Sequence, residues 1–132
     1  MNTIRVTALQ YYIRPVKSFD EFANQVMALV ETARDYKTQL LVFPEYFTTQ
    51  LLTLGEVRRP INEQIIDLAA QEERIVNLLI EQAKKNKMII VGGTLPGFDQ
   101  GDKSRILNKC YVISTDGSYN LQAKLHMTRF EK

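Results

Sequence analysis

The sequence predicts an α/β fold built on a mixed sheet, and three observations carry that prediction. Short apolar runs at 40–43 (LLVF) and 88–91 (MIIV) suit strands buried on both faces. Longer segments between them place apolar residues at helical spacing. Near the end of the chain, Asp116-Gly117 separates two further extended segments, a hairpin signal that adds antiparallel pairing to a parallel set.

The elements follow in order. Residues 4–9 alternate Ile4, Val6 and Ala8 with polar neighbours and read as the first strand. Ser18 and Glu21 form a capping box, and Phe22, Val26, Leu29, Val30 and Ala33 then mark one face of a helix over about 19–36. The run at 40–43 is a buried strand that Pro44 stops, because proline lacks a ladder donor. Residues 48–60, with Gly55 and Arg58-Arg59-Pro60, read as a long connection that is helical in part over 49–54. Two helices are expected at 61–70 and 72–85. The second is ended by Lys84, Lys85 and Lys87, with Asn86 as its left-handed cap. A strand at 88–91 ends at Gly92-Gly93, where positive φ and close backbone approach are permitted. Residues 97–103 read as a loop, and 106–114 and 119–126 as the hairpin strands.

Composition narrows the function classes. The 132 residues are 45% hydrophobic and 24% charged, as one globular domain requires. A net charge of +2, with Arg58-Arg59 and Lys84-Lys85-Lys87 as the only basic clusters, argues against nucleic acid and anionic membranes as partners. No apolar run reaches membrane-spanning length, and the first ten residues lack the pattern of a signal peptide. A single cysteine, Cys110, excludes an internal disulfide and fits a reducing, cytoplasmic setting.

Glu45 is the first candidate for chemistry. It stands at the C-terminal end of a buried strand, where open α/β sheets keep ligand crevices. Tyr46 and Phe47 beside it are expected to desolvate the carboxylate and lift its pKa towards a general base's range. An ordinary surface glutamate at a turn is the competing reading. Lys124 near the end of the last strand and His126, the only histidine, are by themselves a surface charge and a structural imidazole.

Together, FPE at 43–45 and KLHMTRFE at 124–131 resemble the nitrilase superfamily of carbon–nitrogen hydrolases. MIIVGGT at 88–94, LNKCYVI at 107–113 and the Asp116-Gly117 turn fall between them in the matching order. The resemblance covers the whole chain. It implies half of an αββα four-layer sandwich, a mixed sheet with helices on one face, residues 1–132 being the N-terminal part of the domain. It further implies Glu45 as general base, Lys124 as the cation that stabilises a tetrahedral intermediate, and Glu131 as a residue that positions substrate or lysine. The substrate is expected to be a small-molecule amide, carbamoyl compound or nitrile, with no cofactor and no metal. Partners are expected to be a second copy, as in a dimer, or the missing half of the domain. The family's nucleophilic cysteine lies after the lysine strand, beyond this chain, and Cys110 reads as a core or half-buried thiol. Two other readings stand beside this one. The chain is a catalytically inert association module, or it binds nucleotides through Gly92-Gly93, for which neither GxGxxG nor GxxxxGK is present.

Overall fold

The computed structural model describes residues 3–11, 13–45, 47–54 and 58–123. Strand β1 (Val6–Ala8) leads to helix α1 (Phe19–Asp35), strand β2 (Leu40–Val42) and a 3-10 segment (Phe47–Leu54). Helices α2 (Ile61–Ala69) and α3 (Glu72–Asn86) follow. The chain then forms β3 (Ile89–Val91), β4 (Leu95–Asp99), β5 (Asp102–Ile113) and β6 (Tyr119–Ala123). The sheet is mixed: β1, β2 and β3 are parallel neighbours, and β5 runs antiparallel to β3, β4 and β6.

Local chemistry explains most boundaries. Ser18 accepts from the Glu21 amide at 3.1 Å, as a capping box requires, but Glu21 reaches back to the amide of Lys17 rather than Ser18. Asn86 does not form the left-handed cap of α3; Lys87 does, at φ 50°. Asn86 stays helical because its side chain accepts from Arg34 of α1 and donates to the Gln82 carbonyl, a link the cap position would break. The Asp116-Gly117 turn is longer than a two-residue hairpin. Only Gly117 takes positive φ (91°), and Asp116 accepts from the Ser118 amide and hydroxyl.

Of the loop expected at 97–103 only the turn at Gln100-Gly101 remains; the rest is the end of β4 and the start of β5. Gly97 is a strand residue there because the Glu72 carboxylate of α3 fills the space its side chain would need. Strands β3 and β4 lie end to end along one side of β5. Ile90 pairs with Ile113 and Val91 with Val112, but Leu95 pairs with Lys109, so the register slips by one residue between them. This is a bulge, and Gly93 supplies its positive φ of 62°.

Helices α1 and α3 pack together on one face, with α3 lying on β3, β4 and β5. Leu41, Ile90 and Ile113 of that face are completely buried with Phe22, Val26, Val30, Ile75 and Leu79. Alternation sends Leu40, Val42, Ile89, Val91 and Val112 to the opposite face, where the first four are half-buried and Val112 is exposed. No helix among the described residues is long and apolar enough to cross a membrane.

Candidate functional site

The backbone around Glu45 is fixed by its neighbours. The Phe43 amide donates to the Val91 carbonyl at 2.9 Å, continuing the β2–β3 ladder past Val42. Pro44 interrupts it. The ladder then resumes as a parallel bridge between Glu45 and Thr94 in the same register. Gly93 lies opposite Pro44, so close that a Cβ there would collide with the Pro44 carbonyl. The Gly92-Gly93 pair therefore lets two strand ends converge, and it opens strand β4 rather than a helix. The amide-bearing helix N-terminus that a phosphate cradle needs does not follow it.

Glu45 is exposed, and this corrects the expected desolvation. Phe47 does not wall the carboxylate. The 3-10 turn directs it into the core, where its ring lies 4.7 Å from Phe43 and 5.7 Å from Tyr11 and is completely buried. Tyr46 lies outside the described residues.

The same end of the sheet gathers the other strand termini. Glu45 bridges Thr94; Leu95, next in sequence, pairs with Lys109; Lys109 pairs with Ala123. Because β2, β3 and β6 run in one direction, the segments that follow β2 and β3 share this row with Ala123, the last described residue of β6, and the row spans roughly 14 Å at three strand spacings. Of the residues expected to act with Glu45, Lys124 and Glu131 lie outside the described residues, as does His126.

Face assignments follow from the ladders. Lys109 and Leu95 share the helix-covered face, so Thr94 and Asn108, one residue away in their strands, turn to the other. The bridge puts Glu45 on that face with Thr94. The hydroxyls of Thr94 and Thr48 are buried and lack a hydrogen-bond partner among the described residues. Cys110 also belongs to the uncovered face, half-buried and paired with Gln122. Burial pushes its thiol up, away from the thiolate a nucleophile needs. Among the described residues, no group of His, Cys, Asp or Glu could hold a metal ion.

Sequence reasoning missed a second polar cluster. Lys109 is 3% exposed in mid-strand, with its Nζ 3.0 Å from Oε2 of Glu72 and donating to the Phe98 carbonyl at 2.8 Å. The Tyr111 hydroxyl donates to the same Glu72 oxygen at 2.5 Å. Burial, then Glu72, pushes that phenol well above its usual range. The available signal was a lysine in phase with Tyr111 and Ile113 on one face of a strand, a position that demands a carboxylate partner once that face is buried.

A family model described as carbon-nitrogen hydrolase matches residues 5–132. The probable hydrolase YhcX of Bacillus subtilis (strain 168) is 35% identical over 129 residues, which is 98% of this chain and 24% of that protein. Among solved structures, a carbon-nitrogen hydrolase from Helicobacter pylori G27 matches with TM-score 0.71 at 21% identity, over 97% of this chain and 41% of that one. An amidase from Nesterenkonia sp. AN1, a double mutant in complex with acrylamide, matches with TM-score 0.70 at 19% identity, over 95% and 44%. The chain thus spans about a quarter of the length of YhcX and under half of these solved relatives.

Proposed function

The chain belongs to the carbon-nitrogen hydrolase family, and from that premise we propose that it supplies the general base of a hydrolase cleaving a non-peptide C–N bond in a small amide, carbamoyl compound or nitrile. In this reading Glu45 takes the proton of a cysteine thiol contributed from outside these 132 residues. For an amide, the thiolate adds to the substrate carbon and the Lys124 ammonium offsets the charge developing on oxygen. Glu45 returns its proton to the departing amine. A water, deprotonated by Glu45, then cleaves the thioester and releases the acid and the thiol. Glu131 positions substrate or Lys124.

The observation that carries the reading is the row of strand ends. Glu45 follows the parallel strand β2, and Ala123, the last described residue of β6 and next to Lys124 in sequence, lies in the same row across the sheet. A second reading, association without catalysis by this chain alone, draws on the uncovered face, where Val6 is 55% and Val112 40% exposed. The two are compatible if residues 1–132 form one part of a sandwich whose other layers complete the cleft.

The test is hydrolysis of a short aliphatic amide by the full-length protein and its Glu45→Gln variant, followed as ammonia released. We expect Glu45→Gln to lower kcat/KM by about 10²- to 10⁴-fold, the worth of a general base. Turnover near the wild-type rate would remove Glu45 from that role. Hydrolysis by residues 1–132 in isolation would overturn the assignment of the nucleophile to another segment.

A further inference from the structure

We propose that Thr94 is a positioning residue for Glu45, its hydroxyl donating to the carboxylate and holding it in one orientation over the cleft. The inference rests on the functional reading above but is drawn from different observations. Partners in a parallel bridge project their side chains to the same face, roughly 4.8 Å apart across the ladder. Thr94 is that partner of Glu45. Its Oγ1 is buried without a hydrogen-bond partner among the described residues, a costly state for a donor unless some arrangement of the site uses it. One staggered step about χ1 re-aims this oxygen without moving the backbone.

The backbone itself is held. Gly93 packs against the Pro44 carbonyl with positive φ, and β4 resumes at Leu95 with its side chain in the core. Threonine suits the place, because its branched Cβ limits the rotamers between which the hydroxyl switches.

The experiment uses the full-length protein labelled with ¹³C-glutamate, with the Glu45 Cδ resonance identified by its loss in Glu45→Gln. Thr94→Val, which keeps shape and removes the donor, is expected to move that resonance, and Thr94→Ser to leave it near the wild-type position. On an aliphatic amide, Thr94→Val should lower kcat by about tenfold or more, as loss of a hydrogen bond to a charged group does. KM should change by less than about twofold, and Thr94→Ser should recover most of kcat. Thr94→Ala serves as the donor-free variant should valine disturb folding, checked by thermal melting. An unmoved Glu45 resonance in a folded donor-free variant overturns the inference whatever the activity. A moved resonance combined with equal turnover by wild type and Glu45→Gln leaves the contact standing and overturns the hydrolase reading instead.

Discussion

Leu41, Ile90 and Ile113 on the helix-covered face of the sheet are wholly buried, whereas Val112, one residue from Ile113 on the other face, is 40% exposed. The polar groups differ in the same way. On the covered face Lys109, Glu72 and Tyr111 satisfy one another at 2.5–3.3 Å, as charges removed from water must. At the edge of the uncovered face Glu45 is exposed and the Thr94 hydroxyl has no partner among the described residues. One face is finished by this chain's own helices. The other leaves its apolar strand residues partly in water, with Glu45 at its end.

The sharpest way to break this contrast is through Lys109. Lys109→Met should cost about 3–5 kcal/mol in urea unfolding, because it strands the Glu72 carboxylate in a nearly closed site. Adding Glu72→Gln should recover much of that loss, since a neutral amide tolerates the site better. A loss under about 1 kcal/mol for the single variant would show that the cluster does not secure the covered face. The next test compares methyl groups. Leu41→Ala should cost about 2–5 kcal/mol, with transfer and cavity terms both paid in full. Val112→Ala, half in water already, should cost about 1 kcal/mol or less. Equal losses would mean that the two faces are packed alike.

How much of this was legible in the sequence depended on the range of the causes. Helix α1 could be read because Ser18 caps it locally and its apolar stripe repeats every turn. The β2 strand and its terminal carboxylate were legible for the same reason. Strand β4 was not: Pro96 and Gly97 look like loop residues until Glu72, from a helix earlier in the chain, is seen occupying the space beside Gly97. The Lys109 ion pair was hidden by the same distance in sequence. At the site, the position of Glu45 could be read but its surroundings could not. A 3-10 turn, invisible to periodicity, sends Phe47 into the core and leaves the carboxylate exposed. Lys124 and Glu131 were legible as residues of a motif and lie outside the described residues.

The smallest effect distinguishes the faces by pH. The Tyr111 phenol is held well above its ordinary value of 10.0, first by burial and then by its bond to Glu72 and that residue's charge. Between pH 10 and the folded-state value the native protein keeps a proton that the unfolded chain has lost. Its contribution to stability is therefore complete below about pH 10 and declines as pH rises beyond it. Tyr11, raised to about 12 in the aromatic cluster, tilts stability in the same direction, so the informative quantity is a difference between variants. Tyr111→Phe should cost about 1–2 kcal/mol at neutral pH for the lost bond to Glu72, and progressively less above pH 10. The two unfolding curves should converge there. Parallel curves for Tyr111→Phe would show that the phenol is not shut in by the covered face. The distinction between a helix-covered and an uncovered face would then fail at the point where its chemistry is most specific.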